Sequence, residues 1–442
     1  VKGADKRIIE SLNWLGIKFD SQPIYQSKRL KIYQKFAKKL VAENKAYWCH
    51  CSPEKLAQMR QEQIQNKIAP KYDGCCRDKN LKEQKGAVVR LKMPAVGEIT
   101  VNDLIRGEVI FKNELLDDPV LLKSDNYPTY HLANVIDDYQ TKISHVIRSE
   151  EWLSSTPKHL VLYQAFGWPA PQFAHLPMIL GSDKAKLSKR HGATAVLDYK
   201  KQGYLPEALI NFIAFLGWNP GTEKEIFSLE ELIKEFSLER VNESAAIFNL
   251  EKLNWLNGYY LRQMQIDELT KKCLPYLEDR GVLKKFPISN FQFLNKFQIV
   301  ETGETINFDW LKKVVALEQE RMKMIFEIGE MVDFFFKEKL EYSWELLKWK
   351  NMSDEELKTA LNILCDIIKG IPDRNFQKTA INDILLKKAA EFGDRGKLLW
   401  PLRVALTGKK ASAGPFEIME ILGKEKVIKR LEEARQKYEF NG

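Results

Sequence analysis

Near residue 200 the hydrophobic rhythm of this 442-residue chain changes period. Before it, short β-branched runs such as Val88-Val89-Arg90-Leu91, Val109-Ile110-Phe111, His145-Val146-Ile147 and Phe173-Ala174-His175-Leu176 alternate with helical stretches. After it the strand patterns vanish and amphipathic helices take over, two of them announced by capping boxes, Ser228 to Glu231 and Ser353 to Glu356. One core cannot serve both patterns, and a chain of this length is expected to form two to four domains. The spacing therefore predicts an α/β first half and an all-helical second half. No stretch approaches the roughly 18 uninterrupted apolar residues of a membrane span; Met331 to Phe336 is short and contains Asp333. All six histidines (50, 131, 145, 159, 175 and 191) lie in the first half, so imidazole chemistry is not expected of the helical half.

Within the first half, Ala4 to Leu15 reads as an amphipathic helix ending at Gly16, and Ser27 to Asn44 as a second, strongly basic one. Residues 87–123 alternate β-branched and charged positions with Pro or Gly between runs, which predicts one small antiparallel sheet. Helix resumes at Thr129, and from there to about 180 strand and helix patterns alternate as in the second half of an α/β sheet. The net charge of +9 is spread along the chain instead of forming a tail, which fits a broad polyanion-binding surface. Four of the six cysteines crowd into Cys49 to Cys76, a pattern of metal binding in a reducing compartment, so a cytoplasmic location is expected.

Three constellations carry chemistry. Lys186-Leu187-Ser188-Lys189-Arg190, flanked by Gly181 and Gly192, sets three cations on a glycine-framed loop, which suits the closely spaced charges of a triphosphate. By itself such a run is an ordinary solvated surface. Cys49-His50-Cys51 and Tyr72-Asp73-Gly74-Cys75-Cys76 supply thiolates for a tetrahedral zinc site, with His50, Tyr72 and Cys75 competing for the fourth position. Tyr130 to Asn134 opens a helix at a pocket wall, and Arg148-Ser149-Glu150-Glu151-Trp152 leaves a strand at the carboxyl edge where α/β sheets bind ligands. There an arginine is able to fork onto a carboxylate and a tryptophan to stack on a base.

Taken in order, these segments resemble a bacterial-type glutamyl-tRNA synthetase, a class I aminoacyl-tRNA synthetase. The likeness runs through Tyr127 to Asn134, Val146 to Trp152 with Ser155-Thr156-Pro157, Lys186 to Arg190 as the family's lysine motif, Gly203 to Ala208, Leu253 to Gly258 and Gly396 to Gly408. The resemblance implies a Rossmann-like α/β class I core with an inserted α+β acceptor-binding module, followed by an all-α anticodon-binding half. Its implied boundaries are 1–23 for a remnant of the first half of the core and 24–128 for the inserted module with its zinc site. Residues 129–181 are then the second half of the core, 182–262 the lysine loop and stem-contact helices, and 263–442 the anticodon-binding region. The family's opening strand and helix, with their His-Ile-Gly-His-like signature, find no match, so the core is expected to be N-terminally incomplete.

By the same resemblance, Tyr130, Asn134, Arg148 and Glu151 contact glutamate, and Trp152, Lys186, Ser188, Lys189 and Arg190 hold ATP, with Lys186 and Lys189 steadying the phosphates during catalysis. The family's metal pattern maps onto Cys49, Cys51, Tyr72 and Cys76, leaving Cys75 as an extra. The implied activity is ATP-dependent activation of L-glutamate and its transfer to the 3′ end of tRNA(Glu), with Mg2+ on the phosphates, zinc in the module, activation only with tRNA bound, and a monomeric enzyme. The alternative expectation is a catalytically inactive tRNA-binding protein.

Overall fold

The computed structural model describes residues 3–188, 190, 192, 195–285 and 296–441. Two compact units divide the chain: Gly16–Thr194 with Ile213–Asn249, and Val1–Leu15 with Ala195–Phe212 and Leu250–Gly442.

The first unit carries two main sheets, formed by β1 (Ala46–Cys49), β2 (Val88–Leu91), β3 (Glu98–Asp103), β4 (Gly107–Lys112), β5 (Val120–Leu122), β6 (His145–Ser149) and β7 (Gln172–Leu176). One is antiparallel in the order β1-β2-β5 and shares a core with the helix Leu30–Ala42, which buries Tyr33, Ala37 and Leu40 beside Val89, Leu91, Leu121 and Leu122. The other runs β4-β3-β7-β6, with β3 and β4 antiparallel and β7 parallel to both β3 and β6. The helix Thr156–Phe166 joins β6 to β7, since parallel neighbours need a crossover. A short parallel pair, β8 (Ile179–Leu180) and β9 (Ala246–Ile247), completes this unit.

One expectation is corrected here. Residues 87–123 do not make a single antiparallel sheet: β2 stays with β1 and β5, whereas the β3–β4 hairpin joins the α/β sheet. Pro94 and Gly97 interrupt the run between β2 and β3 and let the chain change sheets. Asp103 then ties the end of β3 to β7, accepting the backbone N–H of His175 at 3.2 Å and meeting its ring nitrogen Nδ1 at 2.5 Å.

The second unit is helical around one continuous core that runs from Leu205 and Leu261 through Phe334, Phe335 and Phe336 to Leu431. Both expected capping boxes form, Ser228 in the first unit and Ser353 in this one, each hydroxyl accepting the backbone N–H three residues on. The expectation that strands vanish after residue 200 needs a local correction, since besides β9 a three-stranded antiparallel meander of β10 (Leu283–Lys285), β11 (Lys296–Ile299) and β12 (Thr305–Asn307) interrupts the helices. Its inward residues Leu283, Phe297, Ile299 and Ile306 join the helical core, so three short strands cover what another helix would otherwise cover. Among the described residues no helix is long and apolar enough to cross a membrane.

Two of the sequence motifs act as braces in this unit. The Leu205 N–H donates to Asn257 Oδ1 at 2.7 Å, and Asn257 Nδ2 donates to the Lys323 carbonyl at 2.6 Å. Beside them Gly203 accepts from the Ile325 N–H at 3.2 Å with φ +79°, and a Cβ on it would stand 2.8 Å from the Phe326 nitrogen. Backbone cannot retreat as a flexible side chain can. Gly203→Ala is therefore expected to lose about 3 kcal/mol through combined φ strain and overlap, read as a fall in the denaturation midpoint; a midpoint equal to that of the parent would show that the loop yields freely.

Candidate active site

Arg148 is the next-to-last residue of β6, so the parallel topology delivers its side chain to the carboxyl edge of the sheet. The guanidinium is largely buried and held by neutral groups. Its Nε donates to His175 Nε2 at 3.2 Å, and its Nη2 donates to Thr156 Oγ1 at 2.9 Å and to His159 Nδ1 at 3.2 Å. Its Nη1 is buried and makes no hydrogen bond. Burial lowers the Arg148 pKa, while the Tyr130 phenol beside it works in the opposite direction.

The acceptors facing Arg148 settle the tautomers around it. Because His159 Nδ1 accepts from Arg148, its Nε2 carries the proton and donates to His131 Nδ1 at 3.0 Å. Burial, and after it the charge of Arg148, push the His159 imidazole down to about 2, so it remains neutral. On the other side His175 Nδ1 donates to Asp103 Oδ2, leaving Nε2 as the acceptor for Arg148. Burial also lowers His175, although Asp103 opposes that shift. For Asp103, burial alone would raise the carboxyl, but the His175 ring and the N–H groups of Ile105, Arg106 and His175 hold it below the usual range.

Asn134 projects from the first turns of the helix Tyr130–Gln140, in the same unit. Its Nδ2 leans toward Asp138 Oδ2 at 3.5 Å, and its Oδ1 is buried without a partner. Burial, and then the charge of Asp137, raise the Asp138 carboxyl to about 6. Thus two residues named from the sequence each keep an unused polar atom, one a donor and one an acceptor. Buried polar atoms without partners are costly, and pairing is the rule. A ligand carrying both an anionic acceptor and a cationic donor has groups of the matching kinds.

Above these groups Tyr130 and Trp152, both partly exposed, bring their rings to 4.6 Å, leaving an aromatic face open to a flat ligand. The lysine loop is a hairpin running out of β8. Lys186 bridges back to Leu180, the Gly181 N–H donates to the Ala185 carbonyl at 2.8 Å, and Lys184 turns the corner with φ +60°. Lys186 Nζ reaches Glu151 Oε1 at 2.6 Å, and Arg190 lies 3.5 Å from Asp183. Ser188 is exposed on the same loop, while Lys189 lies outside the described residues. The structure thus brings Tyr130, Asn134, Arg148, Glu151, Trp152 and Lys186 into one neighbourhood.

Asp103, His175, Thr156 and His159 were not singled out as site residues from the sequence. Their signal was a polar residue inside an apolar strand, His175 after Phe173-Ala174, and an aspartate closing an alternating one.

The cysteine cluster forms a separate group in the same unit. Cys49, Cys51 and Cys76 place their sulfurs within 4.8 Å of one another, and Cys51 and Cys76 are 3.6 Å apart. The Tyr72 hydroxyl sits among them, 3.4 Å from Cys49 and 3.9 Å from Cys51, and accepts the Cys76 N–H at 3.1 Å. Tetrahedral zinc with thiolates at roughly 2.3 Å separates its sulfurs by about 3.8 Å, so this donor set fits such an ion. Cys75 is 3.3 Å from Cys51 and near the Lys55 ammonium, whereas His50 turns away to the Lys82 carbonyl.

Residues 1–255 match the family described as tRNA synthetases class I (E and Q), catalytic domain, and residues 268–435 match an anticodon binding domain. A glutamate–tRNA ligase of Dehalococcoides mccartyi is 45% identical over 440 residues, covering 98% of this chain and 86% of its own length. Glutamate–tRNA ligase 1 of Caldanaerobacter subterraneus is 41% identical over 442 residues, covering 98% and 87%. The crystal structure of a glutamate tRNA ligase from Elizabethkingia meningosepticum in complex with its amino acid superposes with a TM-score of 0.81 at 32% identity, over 99% of this chain and 90% of that one.

The neutral state of His159 has a measurable consequence. Between its unfolded value of about 6.5 and its folded value of about 2, the unfolded chain binds a proton that the native one does not. Stability contributed by this group is complete above pH 6.5 and falls by about 1.4 kcal/mol per pH unit as the medium is acidified. His159→Gln is expected to flatten that part of the acid limb of the stability–pH curve. An imidazole that titrates between pH 5 and 7 by NMR would contradict the assignment.

Proposed function

The chain belongs to the class I glutamyl- and glutaminyl-tRNA synthetase family as a glutamate–tRNA ligase, and from that premise we propose that Arg148, Asn134 and the Lys186 hairpin carry its chemistry. The observation that carries this reading is the complementary pair of unused buried atoms, Arg148 Nη1 and Asn134 Oδ1. Nothing in the fold or the relatives favours the inactive alternative.

Activation joins the glutamate carboxylate to the α-phosphate of ATP and expels pyrophosphate; a hydroxyl of the terminal adenosine of tRNA(Glu) then takes the glutamyl group as the acyl–phosphate bond breaks and AMP leaves. Neither step needs a protein nucleophile, so placement and charge neutralisation supply the rate. Arg148 and Asn134 orient the acid, with the Tyr130 phenol beside the guanidinium and Glu151 beside the amino acid. Trp152 offers its ring to adenine. Lys186 leaves Glu151 to meet the phosphates, joined by Lys189, Ser188 and Arg190. A magnesium ion bound with the nucleotide would add to the charge neutralisation that these side chains provide.

Zinc held by Cys49, Cys51, Tyr72 and Cys76 would crosslink the two turns of the 24–128 module, which we assign to the acceptor stem. The core then resumes over 129–181, residues 182–262 contact the stem, and 263–442 read the anticodon; the match of 268–435 to an anticodon binding domain supports the last assignment. The free thiols of the cluster support a reducing, cytoplasmic setting, and one chain per tRNA is the simplest assembly.

In the full-length protein, Lys189→Ala is expected to slow tRNA-dependent ATP–pyrophosphate exchange with glutamate by on the order of a hundredfold, as for one preorganised charge contact, with tRNA affinity nearly intact. Equal losses of both would remove Lys189 from the phosphate site. Elemental analysis is expected to find about one zinc per chain, lost when Cys49 and Cys51 become Ser. Metal-free protein with unaltered folding would retire the zinc assignment.

A further inference from the structure

Asp103 and His175 stand behind Arg148, and the arginine Nε, which can only donate, meets His175 Nε2. We propose that Asp103 and His175 are positioning residues for the amino-acid subsite: by imposing the Nδ1–H tautomer on His175, Asp103 keeps an acceptor against Arg148 Nε, and this holds Nη1 free for the substrate carboxylate. The inference rests on the reading of Arg148 as the carboxylate-binding residue.

The geometry is one-directional. Asp103 Oδ1 accepts three backbone N–H groups, from Ile105 at 3.0 Å, Arg106 at 2.9 Å and His175 at 3.2 Å. Its Oδ2 is left for His175 Nδ1 alone, and both side chains are fully buried. With Nδ1 protonated, Nε2 presents its lone pair to Arg148 Nε at 3.2 Å, while Thr156 Oγ1 lies 3.2 Å from the same nitrogen and 3.3 Å from the Trp152 carbonyl that can take its proton. Thr156 also receives Arg148 Nη2. Guanidinium donors Nε and Nη2 are thereby engaged by His175, Thr156 and His159, and Nη1 is the donor that stays buried without a partner. Were His175 to carry its proton on Nε2, two N–H groups would face each other and the guanidinium would have to rotate.

Asp103→Asn isolates this effect. The asparagine oxygen has to remain on the side of the three backbone N–H groups, because an amide NH2 there would oppose all of them. Its Nδ2 then faces His175 Nδ1 as a donor and drives the proton to Nε2. Size and backbone bonding persist, while the polarity seen by Arg148 reverses.

The experiment measures glutamate and ATP KM in tRNA-dependent pyrophosphate exchange for the full-length protein, with Arg148→Ala as reference. Asp103→Asn is expected to raise the glutamate KM by about tenfold or more, the scale of one lost charged hydrogen bond, with ATP KM within about twofold and Tm little altered. Long-range 1H–15N correlation is expected to show Nδ1–H in the parent and Nε2–H in the variant. His175→Gln, whose Oε1 can still accept from Arg148, is expected to recover part of the affinity that His175→Leu loses, which also decides the matter should Asp103→Asn not fold. An unchanged glutamate KM, a parallel rise in both KM values, an unchanged tautomer, or identical His175→Gln and His175→Leu proteins would each overturn the inference. If Arg148→Ala itself left the glutamate KM unaltered, the reading of Arg148 would fall first, and the two failures are thus separable.

Discussion

A guanidinium taken out of water keeps its charge, so something else has to solvate it. Around Arg148 that task falls to lone pairs on neutral groups: His175 Nε2, His159 Nδ1 and Thr156 Oγ1. The arrangement requires the histidines to remain unprotonated, and burial together with the arginine's own charge secures this. A salt bridge at the same place would have neutralised the fork and left nothing for a ligand. Using uncharged acceptors leaves the positive charge unneutralised at the one buried donor without a partner, Nη1, at the cost of a desolvated cation that the rest of the unit must tolerate.

That tolerance comes from the sheet. The parallel pair β6–β7 sets Arg148 and His175 on adjacent strands in direct register, and the β3–β4 hairpin is attached to the same sheet largely through Asp103. Arg106, one turn further on, pairs with Glu150, whose other oxygen accepts the Met178 N–H. Backbone geometry and charge placement are consequently one problem in this unit. The hairpin that looked like part of an independent sheet is what closes the back of the site.

Much of this was legible in the residues. The change of period near 200, the capping boxes at Ser228 and Ser353, and the helix starting after Thr129 follow from local rules that tertiary contacts here reinforce. Arg148, Trp152 and Lys186 could be named because they sit at strand ends and loop tips, where a polar side chain has little packing role. Asp103 and His175 could not: one closes a strand and the other lies inside one, and what gives them meaning is pairing 72 residues apart. The β10–β12 meander escaped for a different reason, since strands of three or four residues contain too few alternations to distinguish from helix ends. Spacing alone also left three candidates for the fourth position of the cysteine cluster; the fold turns His50 toward Lys82 and keeps both the Tyr72 hydroxyl and the Cys75 sulfur among the other sulfurs.

The contact between Lys186 and Glu151 has a consequence for how this molecule answers ionic strength. Both partners are about half exposed, so the bond is worth little, of the order of 0–1 kcal/mol, and mobile ions screen it readily. On the proposed reading of the hairpin as the phosphate-binding element, added electrolyte weakens its hold on a nucleotide, but it equally weakens the internal carboxylate that competes for the same ammonium. The two responses run in opposite directions. A self-competing cation of this kind buffers nucleotide capture against changes in background salt, so affinity should vary less steeply than the number of basic groups on the loop would imply.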